Sequence, residues 1–354
     1  MLNVLNRQKI ELAGLDIGSA VVKLVRLNKG EDGYTLVAAA CESIVPCPDD
    51  NEQHRQNCID AIKTCLAQTD LKNQGIVCGL AGPEVVVRGF TFPPLPDVAV
   101  AQAVRMEAQQ VCPLDMQQSV LDYQLIETDP VHATSKARPR RGVMAVATQH
   151  VIQGSEQLLA EAGTRAVMVD VNALALLNCL NELKTLDAQE TAAVIDIGSS
   201  QTNVVIYGKD GLPFVRDINT AAGTMVKQIG RDLGITEHEI WQMFTRKQAS
   251  EPLDSNLLLA LNNAIVPLAN AINETLRFYS FQEKKSSVDR IFLCGGFALI
   301  DPFMEFLSDA LSVPVEILNP FSVIHDSTEF GGNEALKKNG PAFAVATGLA
   351  MRGI

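Results

Sequence analysis

A pattern of apolar strand, Asp-Ile-Gly-Ser turn and second strand occurs twice in the 354-residue chain, once in each half. The first copy, ELAGLDIGSAVVKLVRL, has its turn at residues 16–19, and the second, TAAVIDIGSSQTNVVIY, has its turn at residues 196–199. In both copies a turn with glycine and an acidic residue leads into a third strand, as in a β-meander. Because 354 residues exceed what one hydrophobic core usually holds, the repeat predicts two related lobes.

The stretch between the two copies contains a further module. Three prolines within residues 93–96 end the preceding strand, because proline cannot continue a central strand or a helix. The pattern beyond them predicts a helix, two strands and a second helix, at 98–111, 119–127, 142–149 and 150–163. We therefore divide the chain into a first lobe (10–92, 164–190 and 342–354), an inserted α+β subdomain (93–163) and a second lobe (191–341).

The two Asp-Ile-Gly-Ser turns have the chemistry of a phosphate and metal site. A glycine lets a phosphate approach the backbone closely, and the serine hydroxyl and exposed N–H groups can donate to phosphate oxygens. The aspartate can hold Mg²⁺, usually through water. A single turn of this kind is often only a hairpin, but two at equivalent points of a duplication favour a shared site. The predicted ligands are Asp16, Gly18, Ser19, Asp196, Gly198, Ser199 and Ser200, with Asp16 and Asp196 as the metal ligands.

Two further segments follow the turns in the expected places. Lys23 stands seven residues after Asp16 and can bring an ammonium to the phosphates, unless it is a solvated strand lysine. The sequence CGGF at 294–297 follows an apolar strand and precedes a helix. Its glycines can let an adenosine lie against bare backbone, or they can form an ordinary strand-to-helix turn. We predict that Gly295, Gly296 and Phe297 contact the adenosine.

Asp170 is the candidate for a catalytic base, together with Asp196. It ends the apolar strand AVMVDV just before a helix, where it can orient an attacking water or simply cap the helix. The helix that follows, at 172–183, and the last helix, at 342–351, are rich in small residues. We predict that these two helices form the hinge between the lobes.

The composition excludes several classes of function. A net charge of −12 argues against a nucleic-acid-binding protein, which carries a basic face. No P-loop and no GxSxG nucleophile motif is present, and the first 18 residues lack the apolar core of a signal peptide. No run approaches the roughly 20 apolar residues that cross a bilayer. The sequence therefore predicts a soluble protein.

Cysteine and histidine residues do not form a metal site in the sequence. The eight cysteines include no CxxC pair, and the five histidines are scattered, so we expect buried, reduced thiols. The run KARPRR at 136–141 is locally basic in an acidic protein. It is either a solvated loop or a contact with lipid headgroups or an acidic partner.

The order and spacing of these motifs resemble the actin, hexokinase and Hsp-chaperone ATPase superfamily, and within it the PilM family of type IV pilus assembly proteins. LAGLDIGSAVVKLVRL resembles the opening phosphate segment of that family, and AVRMEAQQVCPLDMQQSVLDYQLIE resembles its inserted subdomain. IDIGSSQTNVVIY and NETLRFYSFQ also fit, so that the resemblance covers residues 10–352. It implies an α/β, actin-like two-lobed fold with duplicated ribonuclease-H-like lobes and an insertion of the type found in the division protein FtsA.

The resemblance also implies ligands and partners. It implies ATP and Mg²⁺ in the cleft, with slow or absent hydrolysis, and it adds Gly223 and Glu274 to the nucleotide site. The family often has a basic residue where Glu274 stands, an acidic one where Asn172 stands and a second glycine beside Gly223. The implied partner is the cytoplasmic N-terminal peptide of the inner-membrane protein PilN, bound in a groove beside the insertion. Through PilN the protein would join PilO and PilP, near the pilus motor ATPases, as a cytoplasmic protein at the inner membrane that can form homo-oligomers.

Three other assignments share this fold. The first is an FtsA-like membrane-associated cytoskeletal ATPase, which would have a linker and an amphipathic helix after the last predicted helix, where this chain ends at Ile354. The second is a small-molecule kinase, which would need a substrate pocket and a committed base. The third is a related component of a secretion or competence system.

Overall fold

A computed structural model gives the structure of the protein. It describes residues 12–31, 33–47, 50–71, 75–126, 139–183, 186–187, 190–209, 211–245, 254–282, 287–326 and 334–352. Residues 136–138 of the predicted basic loop lie outside these ranges. Within them, Arg140 donates hydrogen bonds to the Asp97 carboxylate and, at 3.0 Å, to the Leu95 carbonyl oxygen.

The described residues form strands and helices that are numbered here in chain order. The strands are β1 (Leu12–Ile17), β2 (Val21–Gly30), β3 (Gly33–Ser43), β4 (Gly75–Leu80), β5 (Val85–Phe92), β6 (Ser119–Leu125), β7 (Arg140–Thr148), β8 (Ala166–Val171), β9 (Ala192–Ile197), β10 (Thr202–Tyr207), β11 (Pro213–Ile218), β12 (Arg290–Cys294), β13 (Val315–Ile317) and β14 (His325–Asp326). The helices are α1 (Asn51–Gln68), α2 (Asp97–Val111), α3 (Gln149–Glu161), α4 (Asn172–Glu182), α5 (Ala222–Leu233), α6 (Glu237–Thr245), α7 (Ser255–Phe281), α8 (Asp301–Ala310), α9 (Glu334–Lys338) and α10 (Ala344–Ala350).

The two sequence repeats form the same three-stranded meander in two different sheets. The first sheet has the order β14-β3-β2-β1-β4-β8, and the second has the order β11-β10-β9-β12-β13. In each, the strand that ends at the aspartate pairs antiparallel with the next strand of the meander and parallel with a later strand. The duplication predicted from the sequence is therefore confirmed.

Successive side chains of a strand point to opposite faces of its sheet, and apolar residues occur on both faces. Each sheet therefore packs against helices on both sides. In the first sheet, Leu15 and Leu24 face α1 and α3, whereas Leu12 and Val25 face α4 and α10. The second sheet packs one face on α5, α7 and α8, and the other on α4. Helices α4 and α10 are thus sandwiched between the two sheets, as expected for the predicted hinge pair.

The inserted subdomain has a sheet of its own, with the order β5-β7-β6 and α2 on one face. Strand β5, which the sequence division gave to the first lobe, pairs along its whole length with β7. Strand β14 pairs with β3, although its residues were given to the second lobe. The division into three units stays a prediction, and these pairings favour an insertion that begins near residue 85.

Helix α7 is, among the described residues, the one helix long and apolar enough to cross a membrane by length and composition alone. The sequence did not predict such a run, because asparagine residues interrupt the apolar stretch. Leu261, Leu268 and Ile272 of this helix are buried in the core that it forms with α5 and α8. We therefore interpret α7 as a core helix of the second lobe.

The contact between α4 and α10 leaves no room for a side chain at Gly348. A Cβ atom there would lie 1.8 Å from the carbonyl oxygen of Ala175. We expect Gly348→Ala to lower the free energy of unfolding by about 2–4 kcal/mol, because backbone atoms have to move apart. Urea denaturation followed by circular dichroism measures the change.

The matched control is Gly154→Ala in α3, where a Cβ atom would meet no atom within 4 Å. This substitution should raise the unfolding free energy by up to about 1 kcal/mol, since alanine has the higher helix propensity. Equal stability of the two variants would contradict the tight contact of the hinge helices.

Candidate functional site

The two Asp-Ile-Gly-Ser turns have the same backbone hydrogen bond. The N–H of Gly18 donates to the Val21 carbonyl oxygen at 3.2 Å, and the N–H of Gly198 donates to the Gln201 carbonyl oxygen at 3.0 Å. A Cβ atom at either glycine would lie within 3 Å of that same oxygen. Both turns therefore require glycine. Ser19 of the first turn is exposed, whereas Ser199 of the second turn is partly buried and its neighbour Ser200 is exposed.

Asp16 and Lys23 form an ion pair at the end of the first meander. They lie opposite each other in the register of β1 and β2, and the Lys23 Nζ is 3.0 Å from the Asp16 Oδ2. Both side chains are largely buried: that of Lys23 is 16% exposed and that of Asp16 is 7% exposed. The Asn172 side chain, at the start of α4, donates to the other oxygen of Asp16 at 3.5 Å.

Asp196 of the second lobe faces the same lysine. Burial lowers the pKa of Lys23, but the carboxylates of Asp16 and Asp196 outweigh it, so the pKa is raised overall. Burial raises the pKa of Asp196 to about 6, against the opposing effect of Lys23. Two carboxylates and one ammonium, contributed by both lobes, therefore meet in what we call the interlobe cleft.

Asn203 occupies in the second lobe the position that Lys23 occupies in the first. It lies seven residues after its aspartate and opposite Asp196 in the strand register. Its side-chain amide donates to the Asp217 carboxylate at 2.6 Å. The sequence analysis did not single out Asn203, although the shared offset from the two aspartates could have identified it.

Gly295 and Gly223 close the second turn from two sides. Gly295 has a φ of +91°, and a Cβ atom there would lie 2.6 Å from the Asp196 Oδ1. The N–H of Gly223, in the first turn of α5, donates to the Ser199 carbonyl oxygen at 2.9 Å. Gly296 is exposed, with open space where a side chain would be. Both predicted glycine segments thus lie beside Asp196.

Three predicted residues lie apart from this cluster. The Phe297 ring is buried in the second-lobe core, with its centroid 5.4 Å from that of Trp241 and 4.9 Å from that of Phe303. Glu274 is exposed on α7, and no contact among the described residues joins it to the aspartates. Asp170 accepts a hydrogen bond from the Val171 N–H at 2.7 Å. The roles assigned to these residues stay predictions.

Asp170 lies on the side of the first lobe that faces the insertion. Its Oδ2 lies 3.5 Å from the Arg352 Nε, at the end of α10. Burial raises the pKa of Asp170, the guanidinium of Arg352 lowers it, and the carboxylate of Asp122 on β6 raises it further. β6 and β8 are both edge strands, and Val120 and Val167 on them are 48% and 57% exposed. We call the space between these two strands the subdomain gap.

The described cysteines do not gather into a thiol-based metal site. Six of the eight cysteines are buried, and burial raises the pKa of Cys78 and of Cys179 to about 12. Cys41, which we expected to be buried, is exposed and lies opposite Lys23 in the strand register. No group of three or more potential metal-ligating side chains occurs in the described part of the chain.

Two lobes on duplicated meander sheets, with a helix pair between them and a cleft lined by their two turns, define the actin-like class of proteins. Within that class, the chain belongs to the family of the type IV pilus assembly protein PilM, whose family model matches residues 14–354. In the solved PilM-PilN type IV pilus biogenesis complex, a chain 25% identical to this one superposes with a TM-score of 0.83, over 98% of this chain and 99% of that one.

More distant solved structures share the fold. The ethanolamine utilization protein EutJ from Carboxydothermus hydrogenoformans is 14% identical, with a TM-score of 0.56 over 96% of this chain and 89% of that one. The diol dehydratase-reactivating factor in its nucleotide-free form is 10% identical, with a TM-score of 0.52 over 96% of this chain and 98% of that one. These similarities confirm the two-lobed fold.

The buried Asp196 makes the stability of the protein depend on pH. Its folded pKa of about 6 lies above the ordinary pKa of an aspartate side chain, so the native state binds the proton more tightly than the unfolded chain. Its contribution to stability is therefore present at low pH and is lost as the pH rises through 6. When the pH is lowered from 7.5 to 4.5, we expect the free energy of unfolding of the wild type to rise by about 1–3 kcal/mol relative to that of Asp196→Asn.

Urea denaturation of both proteins across this pH range measures the difference. Asp309→Asn, at an exposed position of α8, is the matched control and should follow the wild-type curve. Parallel curves for wild type and Asp196→Asn would contradict the burial of this carboxyl group.

Proposed function

We propose that this pilus assembly protein binds a nucleoside triphosphate with Mg²⁺ in the interlobe cleft. The convergence of Asp16, Lys23 and Asp196 from the two duplicated turns is the observation that carries the proposal. Mg²⁺ is usually held by one or two carboxylates together with waters and phosphate oxygens, so a pair of aspartates suits it. The ammonium of Lys23 and the N–H groups of the turns suit the phosphates.

The glycines beside Asp196 fit the rest of the nucleotide. Because Gly295 has no side chain, no Cβ atom crowds the Asp196 carboxylate. At Gly296 a ribose or a base can approach the backbone directly. Because the Phe297 ring is packed in the core, we propose that the adenosine lies on the glycine backbone and not against this ring.

We further propose that hydrolysis is slow or absent. The residue beside Asp16 is Asn172, whose amide cannot accept a proton from water as a carboxylate can. Asp170, the predicted base, is engaged by Arg352 and borders the subdomain gap. The nucleotide would then act mainly by stabilising one orientation of the lobes.

The nucleotide site is tested with Asp16→Ala and Asp196→Ala. Each should weaken binding of ATP with Mg²⁺ at least about tenfold, which corresponds to ~1.4 kcal/mol, because a carboxylate that supports the metal is lost. Isothermal titration measures the affinity, and circular dichroism checks that the fold is retained. The control is Asp309→Ala, and undiminished affinity in the two cleft variants would refute the site.

We also propose that the subdomain gap binds the N-terminal cytoplasmic peptide of PilN, which places the protein in the cytoplasm at the inner membrane. Family membership and the similarity to a PilM chain solved with PilN support this partner. The edge strands β6 and β8 offer unpaired backbone groups to an extended peptide, and Val120 and Val167 offer apolar contacts. The carboxylates of Asp122 and Asp170 can attract the positively charged α-amino group of a peptide.

The peptide site is tested with Asp122→Lys, which reverses a charge at an exposed position. Binding of a fluorescent peptide of the PilN N-terminus, followed by anisotropy, should weaken about tenfold, as expected for loss of a charge-assisted contact. Glu156→Lys, exposed on α3, makes the same change in net charge away from the gap and should leave the affinity unchanged. Equal affinities of the two variants would exclude the gap.

A further inference from the structure

A second groove lies on the other side of the inserted subdomain, where it meets the second lobe. It has a volume of about 730 Å³ and is lined by residues 87–91 of β5 and 212–216 of the second lobe, with Glu107 of α2 on one side and Phe278 of α7 on the other. We call it the junction groove. None of these residues belongs to the interlobe cleft or to the subdomain gap.

Backbone polar groups line the junction groove on both sides. β5 is an edge strand of the three-stranded sheet, and β11 is an edge strand of the five-stranded sheet. The two strands approach each other beside Gly89, where a Cβ atom would lie 3.5 Å from the Cβ of Leu212, the residue before β11. No ladder joins the two strands among the described residues. Such edges can hydrogen-bond an extended chain.

The groove also has an aromatic wall. The Phe214 ring packs against Phe278, with 6.0 Å between centroids, and against Tyr279, with 5.7 Å. Phe278 nevertheless stays 51% exposed, and Phe281, one turn further along α7, is 86% exposed. Exposed aromatic side chains beside a concave surface are typical of a site for apolar side chains of a partner.

The charged residues that line the groove are two arginines, Arg88 and Arg216, and one glutamate, Glu107, in a protein with a net charge of −12. The side chain of Arg216 makes no hydrogen bond or ion pair with any described residue. Arg88 donates to the Val87 carbonyl oxygen at 2.8 Å and lies near Asp217, whose pKa it helps to lower against the larger effect of burial. Guanidinium groups pair preferentially with carboxylates, so the groove is complementary to an acidic ligand.

We propose that the junction groove binds an extended segment of a partner protein in which acidic and large apolar side chains alternate. The carboxylates of the segment pair with Arg216 and Arg88, its apolar side chains pack on Phe278 and Phe214, and its backbone bonds to the strand edges. This docking site goes beyond the proposed function and is independent of it, because its residues contact neither the nucleotide site nor the PilN site.

The test uses the full chain and two defined probes. One is a fluorescein-labelled ten-residue peptide in which aspartate alternates with leucine and phenylalanine, and the other has lysine in place of aspartate. We expect saturable binding of the acidic probe alone, measured by anisotropy. Arg216→Glu should weaken it by about tenfold or more, because an attractive contact becomes repulsive.

Two further variants make the result specific. Phe278→Ser, at an exposed position where folding is preserved, should also weaken the acidic probe several-fold. Lys227→Glu, exposed on α5 away from the groove, makes the same charge change as Arg216→Glu and should bind like wild type. ATP titration of Arg216→Glu should give the wild-type affinity.

Several outcomes would overturn the proposal. These are equal binding of the two probes, no binding of the acidic probe, or equal losses in Arg216→Glu and Lys227→Glu. Sedimentation velocity tests whether a second copy of this chain occupies the groove instead. If the wild type is a dimer that Arg216→Glu dissociates, and the acidic probe does not bind, the groove is an interface between two copies of this chain. None of these results would affect the proposed nucleotide or peptide site.

Discussion

The ion pair of Lys23 with Asp16, within the electrostatic reach of Asp196, is the interaction on which the interlobe cleft depends. Two largely buried carboxylates from different lobes repel each other, and the raised pKa of Asp196 reflects the cost of burying its charge. One cation that faces both carboxylates offsets this repulsion and lets the two turns approach. The same balance of charges suits a ligand that brings both a divalent cation and phosphates.

The duplication preserves backbone geometry more faithfully than side-chain chemistry. Both turns have the same hydrogen bond from the glycine N–H, and in both the aspartate lies opposite the residue seven positions later in the strand register. Seven residues later the copies differ: Lys23 turns to its aspartate, whereas Asn203 bonds to Asp217 on the neighbouring strand. Asp16 is therefore paired with a lysine, whereas Asp196 has no cation opposite it in its own lobe. One lobe therefore supplies the cation, and the other supplies only a carboxylate.

Much of the fold and part of the site could be predicted because the signals are local or repeated. The two turns, their meanders and the position of Gly295 beside Asp196 all follow from strand pattern and repeat. The sequence did not reveal that Phe297 turns into the core, because its neighbour Trp241 is more than 50 residues away and no local pattern joins them. The pairing of β5 with β7 was missed for the same reason: prolines at 93–96 indicated a boundary, but the partner strand lies about 50 residues further on.

Helix α10 joins features that lie far apart. It packs on β1, which ends near Asp16; it contacts α4 without a gap at Gly348; and just beyond its last residue Arg352 reaches Asp170 at the edge of the subdomain gap. A helix in such close contact cannot bend or slide without carrying its neighbours along. We therefore expect a substitution that displaces α10 to disturb both proposed sites, because the same helix supports them.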